Sequence, residues 1–100
     1  MLTDFPTAND AEQAGSLAKA VAAKVKDSQI AAEIYCRPSH RQNTLLVYGN
    51  IDEKAQQKVV QITRRTCSDI NSKKTEIRFY RAKLNDAINE KPIDVVFVNP

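Results

Sequence analysis

Two hydrophobic periods alternate along the chain. Ala11, Ala14, Leu17, Ala18, Val21, Ala22 and Val25 recur at steps of three and four and form one apolar stripe. The spacing predicts a helix over 8–26. Thr7 followed by Asp10 resembles a capping box with Asp in the Glu position, and Asn9 with Glu12 offers a second cap. Alanine makes the stripe thin, so the helix can lie close against a sheet. Gly15 costs about 1 kcal/mol relative to alanine inside a helix, a cost that such close packing would offset. A second helix, running to about residue 70, buries Ala55, Val59, Ile62, Thr66 and Ile70, with Thr63 and Cys67 widening the face. Gly49-Asn50 opens the turn before it, and Asn50 with Glu53 supplies a cap pair.

Between and after these helices the period falls to two. Strands are predicted over 30–37, 44–48 and 75–82, with Pro38 ending the first and a polar loop over 38–43 making the first two a hairpin. A brief helical turn over 83–91, carrying Leu84, Ala87 and Ile88, stops at Pro92, and a fourth strand covers 93–98. The order α–β–β–α–β, then a short helix and a strand, predicts an α+β two-layer sandwich. Two helices cover one face of a mostly antiparallel sheet. One hundred residues make a single domain over 1–100, since two cores would each be left with too little burial.

Splitting the strands by alternation assigns two faces. Ile30, Ala32, Ile34, Cys36, Leu45, Val47, Ile77 and Phe79 point toward the helices. Ala31, Glu33, Tyr35, Arg37, Leu46, Tyr48, Glu76, Arg78 and Tyr80 point away, onto an open face bearing three tyrosines, two arginines and two glutamates. The strand over 93–98 alternates poorly. It is either a buried central strand or an edge open to another chain, a route to a homo-oligomer.

Composition narrows the classes. The apolar fraction of 42% and charged fraction of 27% are ordinary globular usage, which excludes a disordered or fibrous chain. No membrane span and no secretory signal is present, so the chain reads as cytoplasmic unless it is cut from a longer exported protein. Cys36 and Cys67 fall on apolar positions and read as reduced core thiols, a single strand-to-helix disulfide being the other arrangement.

The segment over 44–55 resembles the middle of BON-type domains, where a strand ends in an apolar-x-Gly-x-apolar turn and runs into an acidic amphipathic helix; Val47, Gly49 and Ile51 carry the motif. BON domains and the similar ring-building modules of bacterial secretion systems share the α–β–β–α–β order. A second BON feature, a Gly-Val turn before the last strand, is missing, because 66–75 contains no glycine. The resemblance implies a non-enzymatic assembly or surface-binding module.

Catalytic chemistry finds little support. The one histidine, His40, lies in the hairpin loop, and no nucleophile has a predicted base beside it. Gly15 and Gly49 are the only glycines, which excludes a glycine-rich phosphate cradle. His40, Cys36 and Cys67 lack metal-ligand spacing, so neither a metal nor a cofactor is expected. Binding remains. Tyr35, Arg37, Arg41, Tyr48, Arg78 and Tyr80 form the candidate contact surface, with a protein partner expected since Tyr and Arg dominate interface hot spots. The net charge of +3 and pI of about 9.0 also suit single-stranded nucleic acid, with Arg64-Arg65 and Lys73-Lys74 extending a basic track. A third expectation is a small inhibitor or immunity protein of a partner enzyme. The bland alternative for the face is a half-exposed sheet with cross-strand Glu–Arg pairs and amphipathic tyrosines.

Overall fold

Local chemistry sets where each helix begins and ends. Thr7 is the N-cap of α1 (Ala8–Asp27): its hydroxyl accepts from the Asp10 amide while the Asp10 carboxylate accepts from the Thr7 amide, completing the box. α2 (Glu53–Asp69) is capped by Asp52, whose carboxylate accepts from the Ala55 amide at 2.8 Å. Asn50 is therefore not the cap. Ile51 instead donates to the Gly49 carbonyl, and the chain enters the helix two residues later. Both helices end in left-handed residues, Gln29 at φ 60° and Asn71 at φ 52°. The amides of Ile30 and Ser72 return to the carbonyls of Val25 and Cys67, closing each last turn.

The computed structural model describes residues 5–83 and 90–98. Four strands, β1 (Glu33–Arg37), β2 (Asn43–Tyr48), β3 (Thr75–Tyr80) and β4 (Asp94–Val98), form one sheet in the order β1-β2-β3-β4. The two outer pairings are antiparallel and the central β2–β3 pairing is parallel. A parallel neighbour needs a long crossover, which α2 supplies. The C-terminal strand is thus an edge, paired with β3 alone among the described residues. Most of the helical turn expected over 83–91 falls on 84–89, outside the described residues.

The helices pack on one face. Leu17, Val21 and Val25 of α1 and Val59 and Cys67 of α2 meet Leu45, Val47, Ile77, Phe79 and Val98 of the sheet, each 1% exposed or less. Ile34, Cys36 and Val96 close the margin of this core. The inward alternation expected from the sequence is the one observed. Thr63 and Thr66 stay helical by returning their hydroxyls to the carbonyls of Val59 and Ile62, so no buried donor is stranded. Ile70, expected on the buried face, sits at the helix end and is exposed.

A polar clamp holds one end of the sandwich. The Lys73 ammonium donates to Asp10 Oδ1 at 2.7 Å and to the Ser39 and His40 carbonyls at 2.7 and 3.4 Å. One cation so joins the start of α1, the β1–β2 loop and the approach to β3. That ammonium, and then the Thr7 amide, hold the Asp10 carboxyl well below its ordinary 3.8. Folding therefore favours the ionised carboxylate.

The two glycines differ in role. A Cβ on Gly49 would lie 2.7 Å from the Ala31 carbonyl, whereas one on Gly15 would meet nothing within 4 Å. Close packing does not account for Gly15. Gly49→Ala is expected to cost about 2 kcal/mol or more through backbone clash, and Gly15→Ala to add about 1 kcal/mol, both read by urea unfolding. The Asp10 clamp gives a pH signature. Its stabilisation is present above about pH 3.8 and is lost as pH falls below that value, because the unfolded chain there binds the proton first. Asp10→Asn should flatten the stability difference between pH about 6 and pH about 3, measured by the same unfolding curves.

Candidate functional site

Strand register turns the outer sheet face into three rows. Glu33, Tyr48 and Tyr80 form the first; Tyr35, Leu46, Arg78 and Val95 the second; Arg37, Thr44, Glu76 and Phe97 the third. The strands thus bring Tyr35, Arg37, Tyr48, Arg78 and Tyr80 onto one surface, opposite the helices. Arg41 lies in the loop joining β1 to β2, at the rim.

Within the face the tyrosines contact each other. The rings of Tyr48 and Tyr80 stack at 4.7 Å, 14° from parallel, and Tyr35 meets Tyr48 edge-on at 5.9 Å. Tyr48 is only 8% exposed as a result and packs with Leu46, Tyr80 and Ala82 in a second small apolar cluster. Burial, then the nearby Tyr80, raise the Tyr48 phenol above its usual value. Tyr48 was expected on the exposed surface; its partners bury it, so it supports the face rather than presenting itself. Tyr80 is half-buried, and Tyr35 is 43% exposed, its hydroxyl 3.4 Å from Glu33 Oε2.

The charges are ordered too. Arg78 Nε donates to Glu76 Oε1 at 3.0 Å, and Gln42 Nε2 donates to Glu76 Oε2 at 2.9 Å. The hydrogen bonds from Arg78 to Glu76 raise the guanidinium further and fix its plane. The pair runs along one strand, two residues apart, rather than across strands. Arg37 is exposed at the corner. Lys74 lies over the Phe97 ring at 4.9 Å from its centroid.

Sequence reasoning passed over Val95 and Phe97, which are 39% and 54% exposed on this face. Their alternation becomes visible once Val96 is placed opposite Ile77 in the core, which turns its two neighbours outward. The basic track does not extend as expected. Lys73 is engaged by Asp10, and Arg64 and Arg65 belong to α2, on the other side of the sheet.

The remaining chemistry is quiet. Cys36 and Cys67 are free thiols, and burial pushes Cys36 up to about 12, so it stays protonated at neutral pH. His40 Nδ1 lies 3.6 Å from Asp10 Oδ2 on an exposed ring. Among the described residues no three His, Cys, Asp or Glu side chains gather into a set able to hold a metal ion, and no helix is long and apolar enough to cross a membrane. Comparison with protein-family models, curated proteins and solved structures finds no match to this chain.

The geometry separates a structural tyrosine from an available one. Tyr48→Ala should destabilise the fold by about 3 kcal/mol, as for a buried aromatic. Tyr35→Ala should cost under about 1 kcal/mol, as for a half-exposed one. Urea unfolding of the two variants checks this.

Proposed function

We propose that the chain is a non-catalytic protein-binding or assembly module whose contact surface is the outer sheet face. The observation that carries this reading is the exposure on one face of three large apolar side chains, Tyr35 on β1 against Tyr48, and Val95 and Phe97 on β4, on either side of the Glu76–Arg78 pair of β3. Exposed aromatic and β-branched groups flanking a fixed Arg78, with Arg37 at the corner, have the residue types of an interface centre. The rings and the Glu76–Arg78 pair are already held by one another, so little side-chain freedom remains to be lost on binding. The resemblance of Val47-x-Gly49-x-Ile51 to BON-type modules points the same way.

Single-stranded nucleic acid is the competing occupant of the same face. Arg37, Arg41 and Lys74 favour it by charge. The rings disfavour it, since a base needs a free π-face. Tyr48 and Tyr80 cover one another, and Lys74 lies over the Phe97 ring. Inhibition of a partner enzyme differs only in what the protein partner does.

The immobilised chain presented to a lysate of its source organism should retain a protein that Tyr35→Ala combined with Arg37→Glu loses at least roughly tenfold. Equal retention by both forms contradicts the reading. Fluorescence anisotropy with a mixed single-stranded oligonucleotide supplies the other arm. Binding that falls steeply with salt and is lost with Tyr35→Ala would assign the face to nucleic acid instead.

A further inference from the structure

We propose that β4 is the contact by which two copies of this chain associate, its outer edge, unpaired among the described residues, pairing antiparallel with β4 of a second copy about a two-fold axis perpendicular to the sheet. This goes beyond the outer-face reading, because it uses the sheet edge and a groove on the helix side. It holds whether or not the outer face takes another partner.

The two edges of the sheet are not alike. β1 carries Glu33 and Arg37 at its ends and runs into Pro38, the charged and proline guards that discourage pairing. β4 reads Asp-Val-Val-Phe-Val: Pro92 and Asp94 guard only its start, and the four residues after Asp94 are β-branched or aromatic with no charge, proline or glycine. Such an edge is a template for another strand. A closed two-fold arrangement occupies it once and leaves only the guarded β1 edges at the two ends of the joined sheet.

Charge selects the second copy and its direction. Between α2 and β4 runs a groove of about 350 Å³, with Val60 and Val96 beside Glu53, Gln56, Arg64 and Asp94. Asp94 accepts a hydrogen bond from Gln56, which fixes the acidic end of the groove at the first half of α2. Arg64 lies eight residues further along the helix, about 12 Å away, which matches the rise of β4 from Asp94 to Val98. The groove is therefore acidic at one end and basic at the other, with Val60 and Val96 beside Gln57 and Gln61 between them. Placing the two-fold axis near Val96 sets Asp94 and Glu53 of each copy toward Arg64 of the other. On the outer face it sets Val95 against Phe97 twice, as a cross-strand aromatic pair. Parallel pairing would instead bring the two acidic ends together and leave the interface unclosed. The product is a continuous eight-stranded sheet with both helical layers on one side.

Sedimentation equilibrium of the full chain tests this. A mass twice the 11.2 kDa of one chain is expected. Arg64→Asp alone and Asp94→Arg alone should each raise the dimer dissociation constant at least roughly tenfold, and the two reversals together should restore it to within about threefold. Arg64 and Asp94 are exposed, so circular dichroism should be unchanged in all three variants. A wild-type chain that stays monomeric at millimolar concentration overturns the proposal. So do single reversals without effect, or a double reversal that does not recover. A monomeric chain that still loses a protein partner on Tyr35→Ala combined with Arg37→Glu would overturn this pairing while leaving the outer-face reading standing.

Discussion

The parallel pairing of β2 with β3 is the constraint on which the rest of the structure depends. Two parallel neighbours cannot be joined by a tight turn, so the 17-residue α2 must cross over the sheet between them. That crossover fixes which face is covered, and β2, with neighbours on both sides, is buried along its whole length. The hairpin then places β1 at one edge, and the antiparallel return of the chain places β4 at the other. Among the described residues, the open sheet face and the two unlike edges follow from that central pair.

The same pairing builds the aromatic patch. Tyr48 and Tyr80 stand opposite each other in the parallel register, which is why their rings stack and why Tyr48 is lost from the surface. Tyr35 reaches Tyr48 on the diagonal and remains half in solvent. Buried tyrosine below and exposed tyrosine above make a firm patch rather than three independent contact residues. Glu76 does for Arg78 what Tyr80 does for Tyr48: it holds the group in one orientation and takes away part of its capacity for a partner.

Much of the architecture was legible in the sequence because it is encoded locally. The three- and four-residue steps from Ala11 to Val25 and from Val59 to Cys67 specify helices, and the two-residue alternation assigned the inward residues of the first three strands correctly. What could not be read depends on residues far apart in the chain. Lys73 and Asp10 lie 63 positions apart in the chain, so nothing local distinguishes Lys73 from an exposed basic residue. The burial of Tyr48 requires knowing that Tyr80 is its neighbour. Val95 and Phe97 joined the face only when β4 was set against β3, since a short apolar run does not declare which parity is inward. The misplaced cap is a local failure of another kind. Asn50 and Asp52 are both good cap residues, and the Ile51–Gly49 hydrogen bond decided between them.

Folding leaves apolar side chains open on the sheet face opposite the helices. This exposure is tested most directly by proton NMR of the full chain with a soluble paramagnetic probe. Strong broadening is expected for the side-chain resonances of Tyr35, Val95 and Phe97, with those of Tyr48 and Phe79 spared. Protection of Tyr35 and Phe97 equal to that of Phe79 would contradict it.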